Sequence, residues 1–405
     1  MTRDPKTRLP FEVRALVAGG FTVALGYGVV APTIPQYAHA FGVTNLAASA
    51  IVSAFALMRL VSAPLAGWVV GRLGERRTYS TGILIVALST GACALANSYP
   101  QLLVLRAAGG IGSTMFTVAA TALLIKVSPV RARGRVASVN AAGFLLGTLL
   151  GPVLGALVAG FGLRAPFVFY FATLLIAAAV VWFALRRSTI VGRRDSADAE
   201  PPLRFGEALR IPSYRTLLGS VFAFGWSSFG VRVSVVPLLV AATFPGQPAL
   251  AGWVLAAYAA GNAILIFPSG RWNDRFGRRP LLITGMAVTA LGYAALPAAQ
   301  SIWVTLGIML VAGAGSALVN PGQQAVLADV VGRRRGGGVV AGYSMASDLG
   351  GVMGPLVAGA IVDAAGFGWA FAVTAALLAL TALAWSFTPV AGSSAARDRN
   401  VSSTG

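Results

Sequence analysis

The chain has one cysteine, one histidine and twelve carboxylates against 31 lysines and arginines. Each shortage removes a class of protein. Cys93, alone in an apolar run, can close no internal disulfide and reads as a packing residue. With His39 as the only imidazole and so few acids, no group of residues has metal-ligand spacing, and no nucleophile stands beside a base. An enzyme is therefore not expected, nor a bound metal or cofactor. Charged residues make up only 11% of the chain, which excludes a soluble protein of this length. Loops on one side of the apolar runs are very short, so neither an extracellular domain nor a soluble catalytic module has room.

What is present is apolar: 57% hydrophobic residues and a mean hydropathy of +0.77. Apolar runs of roughly 18 to 25 residues recur, enough to cross a hydrocarbon core about 30 Å thick as helices. A transmembrane barrel would show alternating segments of about ten residues. These runs are continuous and rich in Leu, Ala and Val. They predict an all-α integral membrane protein of twelve transmembrane helices, near residues 13–38, 45–71, 78–97, 101–127, 136–160, 165–186, 214–243, 249–272, 281–299, 302–331, 339–364 and 368–388. Ala38-His39-Ala40 and the basic Arg3, Lys6 and Arg8 imitate a signal peptide. The apolar stretch from Val13 to Ala38 is too long for an h-region of about 7–15 residues, so a retained first helix is expected.

A net charge of +19 would suggest nucleic acid if position were ignored. Nearly all the lysines and arginines, however, fall in short segments that alternate on one side of twelve helices. Only Arg164 lies in an opposite loop, and Arg59, Arg106 and Arg232 lie within apolar runs. This is the positive-inside pattern, which places both termini in the cytoplasm of an inner or plasma membrane. The charge implies a lipid bilayer as partner and no nucleic acid.

The chain is also built twice. Gly147-Thr148-Leu149-Leu150-Gly151-Pro152 returns as Gly350-Gly351-Val352-Met353-Gly354-Pro355. The same offset carries Gly67 to Gly270, Arg72 to Arg275, Gly74 to Gly277, Gly110 to Gly313 and Gly112 to Gly315. Such a repeat in a membrane protein points to a transporter of two pseudo-symmetric six-helix halves. The expected division is a first half over 1–186, a polar cytoplasmic linker over 187–213, a second half over 214–388 and a disordered cytoplasmic tail over 389–405.

Two loops carry the most specific motifs. Gly270-Arg271-Trp272-Asn273-Asp274-Arg275-Phe276-Gly277-Arg278-Arg279 follows helix 8, and Gly67-Trp68-Val69-Val70-Gly71-Arg72-Leu73-Gly74-Glu75-Arg76-Arg77 follows helix 2. Glycine permits a tight turn, and arginine anchors it to an anionic leaflet. Anchoring alone does not explain the ordered pattern at one offset. The order resembles the major facilitator superfamily, whose hallmark is G-x-L-x-D-R-x-G-R-R after helices 2 and 8, and the resemblance covers nearly the whole chain. Other elements resemble its drug:proton antiporter branch. Arg106-x-x-Gly109-Gly110-x-Gly112 is similar to R-x-x-Q-G-x-G in helix 4. Gly147, Gly151, Pro152 and Gly155 are similar to the glycine-proline motif of helix 5, repeated by Gly350, Gly354 and Pro355 in helix 11. Gly26, Pro32 and Pro35 are similar to its helix 1 motif.

The resemblance implies a conformational latch. Asp274, with Arg275, Gly277 and Arg278, would face the start of helix 5 near Arg133 and Arg135, a helix N-terminus favouring negative charge. Two positions depart from the family pattern. Gly71 replaces the matching aspartate, removing the latch against helix 11, and Gly109 replaces glutamine, leaving Arg106 without that neighbour.

An ionisable side chain inside a span costs roughly 2.5–3.5 kcal/mol on insertion scales, which makes it a functional candidate. Arg59, Arg106, Arg232 and Asp348 qualify, whereas Asp329 and Asp363 lie near helix ends and read as solvated or snorkelled carboxylates. Asp348 is the candidate proton carrier; the bland alternative is a counter-charge that holds two helices together. By helical rise Asp348 lies roughly 14 Å and Arg59 roughly 20 Å from the cytoplasmic helix ends. With the family's helix order this predicts an Arg59–Asp348 pair. Arg106 corresponds to the arginine proposed in the family to assist proton transfer, or serves structure alone. Arg232, whose repeat equivalent is Val29, is a candidate substrate contact. Tyr27, Asn140, Trp226, Asn262, Asn320 and Gln323 are the polar and aromatic candidates for a central cavity, each alternatively a packing residue. The leading reading is a monomeric, proton-coupled exporter of small amphipathic molecules working by alternating access. An uptake symporter for a sugar or other metabolite is the nearest rival, and a non-transporting membrane sensor a remote one.

Overall fold

The structure is a computed structural model that describes residues 11–127, 133–185, 205–331 and 337–388. Their regular structure is entirely helical. The first part contains α1 (Phe11–Val30), α2 (Ile34–His39), α3 (Asn45–Leu73), α4 (Glu75–Ala94), α5 (Tyr99–Val127), α6 (Arg133–Ala159) and α7 (Ala165–Leu185). The second contains α8 (Phe205–Ala208), α9 (Pro212–Phe224), a π-helical segment (Gly225–Val231) and α10 (Arg232–Thr243). It continues with α11 (Ala249–Phe276), α12 (Arg278–Ala295), α13 (Ile302–Val331), α14 (Gly337–Ala365) and α15 (Phe367–Phe387).

Among the described residues, 11 segments are long and apolar enough to cross a membrane. The twelfth expected span, near 78–97, is α4. Glu75, Arg76, Arg77, Thr78, Tyr79 and Ser80 at its start lower its hydropathy. Yet α4 packs on α5 and α7. Thr78 and Ser80 donate to carbonyls one turn back, Gly74 O at 2.9 Å and Arg76 O at 3.1 Å. A hydroxyl is tolerated in apolar surroundings when its bond is made within its own helix.

The first expected helix, 13–38, is broken after Val30. Pro32 and Pro35 lack the N–H that an unbroken helix requires. Side chains add bonds to carbonyls at the break: Thr33 Oγ1 donates to Val30 O at 2.8 Å and Gln36 Nε2 to Pro32 O at 2.7 Å. Within the linker expected over 187–213, Phe205–Ala208 form the single turn α8, the Phe205 ring meets Tyr214 edge-on at 6.2 Å, and α9 opens with Pro212 in its first turn. Residues 186–204 and the tail 389–405 lie outside the described residues.

Residues 1–37 with 54–196 form one compact unit, and residues 38–53 with 197–405 form the other. In the first, α1 packs on α6 and α7, and α4 on α5 and α7. Leu16, Tyr79, Ile83, Phe116, Leu123 and Val181 make its core. In the second, α13 packs on both α11 and α12, α15 lies on α12, and α14 lies on α9 and the π segment. In lipid such packing depends on close van der Waals fit rather than on expelling water. Glycines provide the fit. A Cβ on Gly151 would stand 2.6 Å from Leu25 O and 2.7 Å from Gly28 Cα, and one on Gly354 2.7 Å from Trp226 O.

Residues 38–53, expected in the first half, pack in the second unit. Asp363 holds them. Its Oδ1 accepts from the Asn45 N–H and Asn45 Nδ2, both at 2.9 Å, and its Oδ2 from the Leu46 N–H at 2.8 Å. A carboxylate there satisfies the free donors at the start of α3. Ser53 Oγ adds a bond to Val352 O at 2.7 Å. Asp363, expected as a solvated helix-end acid, is exposed but serves as a cap.

Candidate transport site

The first unit gathers three of the expected residues, Tyr27, Arg59 and Arg106. Gly110 starts this arrangement: it brings α5 onto α3, where an added Cβ would lie 3.0 Å from Met58 Cβ and collide with Phe55 O. One turn earlier Arg106 is 1% exposed, with its guanidinium carbon 4.5 Å from the Phe55 ring centroid. Phe55 stacks in turn on Tyr27, with centroids 6.2 Å apart at 27°. Arg59 follows Phe55 by one helical turn and so lies on the same face of α3. Tyr170 is within electrostatic reach of Arg106, Arg59 and Tyr27. The Nε of Arg106 has no hydrogen-bond partner. Asn140 sits apart, its Oδ1 3.6 Å from where Gly20 would carry a Cβ.

The second unit has its own arginine on a ring. Arg232 follows the π segment directly, places its guanidinium carbon 4.6 Å from the Tyr258 centroid and donates from Nε to Ser228 O at 2.8 Å. Ser228 Oγ and Tyr258 OH share a hydrogen bond of 3.0 Å. Tyr258 stands at the repeat position of Phe55, and Gly313 brings α13 onto its backbone as Gly110 does in the first unit. The two arginines are not repeat equivalents: Arg106 corresponds to Met309, and Arg232 to Val29. Asp348 is half-buried on α14, next to Ser347, whose backbone touches Gly225 of the π segment. Arg59 belongs to the first unit and Asp348 to the second.

Three of the four remaining candidates are occupied within the second unit. Trp226 is 6% exposed and donates from Nε1 to Thr374 Oγ1 at 3.1 Å, while Gln323 is 1% exposed and donates from Nε2 to Ser220 Oγ at 3.0 Å. Neither faces open space; both fasten helices. Asn262 Nδ2 donates to Ser316 Oγ at 2.8 Å, and Asn320 is exposed.

The Major Facilitator Superfamily model matches residues 16–241 and again 216–403. The chain belongs to the major facilitator superfamily. It is thus a multi-pass membrane transporter of the all-helical, twelve-span type. Multidrug resistance protein 2 of Bacillus subtilis (strain 168) is 26% identical over 359 residues, 86% of this chain and 88% of its own length. Quinolone resistance protein NorA of Staphylococcus aureus (strain MRSA252) is 25% identical over 350 residues, 85% and 88% of the two chains. Among solved structures, an inward-facing, unoccupied bacterial homolog of the human lysosomal transporter Spinster superposes with a TM-score of 0.74 at 18% identity, over 95% of this chain and 96% of that one. A D-xylose-proton symporter gives 0.74 at 19% identity, over 93% and 98%. At such identities the superpositions establish the fold alone.

The superfamily's loop motif takes its shape from glycine. Gly74 and Gly277 have φ of 79° and 85° with ψ of 158° and 164°, a region open to glycine almost alone. Each closes the preceding helix, Gly74 N–H on Val70 O at 3.0 Å and Gly277 N–H on Asn273 O at 3.1 Å. Arg275 lies over the ring of Phe276 at 5.3 Å. Arg278, expected in the latch, donates to Ala325 O at 3.1 Å and pairs with Asp329. That pair corrects the reading of Asp329 as a merely solvated acid. The repeat positions are Glu75 and Lys126, the same charges with signs exchanged. The side chains of Asp274, Arg133 and Arg135 lie outside the described ones.

Sequence reasoning missed Phe55, Tyr258 and the π segment. An aromatic residue recurring at the repeat offset one turn before Arg59 and Asn262 was the available signal for the rings. For the π segment it was Ser227-Ser228 set between Gly225 and Gly230 in an apolar run. Such segments recur at functional sites.

Proposed function

We propose that this superfamily member exports small amphipathic molecules in exchange for protons, by alternating access. The observation that carries export is the pair of relatives named for multidrug and quinolone resistance, each matched over most of both chains. The assembly of buried Phe55 and Arg106 with half-buried Tyr27 and Arg59 supports an amphipathic substrate, because it offers aromatic surface beside fixed charge. Asp348 takes up and releases the proton, and the arginines set how tightly it is held. Asp274, Arg275, Gly277 and Arg278, with Arg133 and Arg135, close the cytoplasmic side. Both termini face the cytoplasm of the cell membrane, two halves joined near residues 187–213 move against each other, and the monomer performs no covalent chemistry on its substrate.

Dye or antibiotic retention in expressing cells, with and without a protonophore, tests the direction. Retention is expected to rise on uncoupling. A fall in substrate uptake on uncoupling would support the symporter reading instead. In proteoliposomes, Asp348→Asn is expected to abolish pH-driven exchange while leaving the amount of folded protein unchanged; normal coupling in that variant removes Asp348 from the mechanism.

A further inference from the structure

Arg106 is a buried charge of the first unit with an unpartnered donor. It is 1% exposed, its Nε has no hydrogen-bond partner, and its guanidinium lies on the face of Phe55. The only described carboxylates of this unit are Glu12, in the first turn of α1, and Glu75, in the first turn of α4. By helical rise Glu75 stands about 21 Å along α4 from Ser89, and Glu12 about 22 Å along α1 from Tyr27. The unit therefore holds Arg59 and Arg106 without an acid of its own at their level.

A second orphan lies against Gly109, three residues along α5 from Arg106. Ser89 Oγ, in a residue 7% exposed, has no hydrogen-bond partner either. It points at Gly109, where a Cβ would stand 2.6 Å from it and 3.6 Å from the Phe55 ring. Arg106, Ser89 and Phe55 thus surround a glycine at the position where the resembled branch carries glutamine. A side-chain amide there would answer the orphaned donors from within. Glycine leaves them to an outside group.

We propose that Arg106 and Ser89 receive a carboxylate of the substrate, and that the molecules this protein exports are amphipathic organic anions rather than lipophilic cations. A carboxylate accepts the guanidinium N–H groups and the serine hydroxyl together. The Phe55 and Tyr27 rings then take the apolar body of the molecule. A cation would meet two arginines and no compensating charge in this unit. The proposal rests on the export reading, and names its substrate class.

Binding to purified full-length protein in lipid nanodiscs tests it without requiring transport. The probes are phenylbutyrate, its neutral amide and tetraphenylphosphonium. Phenylbutyrate is expected to bind more tightly than its amide, and Arg106→Gln to weaken it by about ten- to hundredfold, as for lost hydrogen bonds to a charged group. Ser89→Ala is expected to weaken it several-fold, with Arg106 in place to show that the fold is intact. Gly109→Gln should compete with the carboxylate from inside the site and also weaken it. Equal affinity for acid and amide, or a carboxylate affinity unchanged in both Arg106→Gln and Ser89→Ala, overturns the proposal. Tighter binding of tetraphenylphosphonium than of phenylbutyrate overturns it as well. Arg106-dependent carboxylate binding without protonophore-sensitive retention in cells would leave the substrate class standing and sink export alone.

Discussion

Phe55 and Tyr258 occupy the same position in the two repeats, and each lies under a guanidinium, at 4.5 and 4.6 Å. The arginines arrive from different helices. Arg106 comes from α5 and its Nε is unpartnered, while Arg232 comes from the end of the π segment and its Nε is bonded to Ser228 O. Duplication kept the ring and the glycine that brings a neighbouring backbone onto it, Gly110 in one unit and Gly313 in the other. Charge placement was free to diverge, because a side chain can change without moving the backbone crossing beneath it. One unit now holds its arginine in internal bonds. The other holds an arginine whose Nε has no hydrogen-bond partner.

The crossings are the shared part, and they should be the most sensitive. Gly151→Val and Gly354→Val each drive side-chain atoms into backbone, beside Leu25 O and Trp226 O. Each is expected to cost about 3 kcal/mol or more, read as loss of monodisperse protein and a lower melting temperature in detergent. If one position tolerates valine, the two crossings are not equivalent. The loop turns come next. Gly74→Ala and Gly277→Ala place a Cβ where φ is near +80°, at a cost of about 1–3 kcal/mol each, and the two losses should match.

Asp363 tests a feature of the second unit, where the repeat position in the first is Gly160. Asp363→Ala removes the cap from α3 and is expected to cost about 1 kcal/mol and to increase hydrogen exchange at Asn45 and Leu46. Unchanged exchange at those two amides would show that α3 does not need the acid. The smallest effect belongs to the Arg278–Asp329 pair. Exchanging the two residues gives it the sign order of Glu75 and Lys126, and should restore most of the roughly 0.5 kcal/mol lost in Arg278→Ala.

Much of this fold was legible because bilayer thickness and hydrogen-bonding demand leave few choices. Continuous apolar runs have to be helices, and their ends fell within a few residues of expectation. The exception has a local cause. Pro32 and Pro35 broke the first helix, whereas the span expected near 78–97 stands as α4 despite its polar start. At the site, Arg59, Arg106 and Tyr27 were legible as a charge or polar group out of place. Trp226 and Gln323 were not, because their hydrogen bonds to Thr374 and Ser220 join helices far apart in sequence. No spacing rule shows whether a buried polar group is already paired.

The sequence by itself determined the helical class, the duplication and the positions where the repeats disagree. Periodicity and hydropathy are local, and an offset needs only counting. Tertiary structure decided which of the disagreeing charges are spent. Partnership depends on helices brought together by glycine, so only packing could distinguish the bonded Arg232 from the unsatisfied Arg106, or attach residues 38–53 to the carboxylate of Asp363.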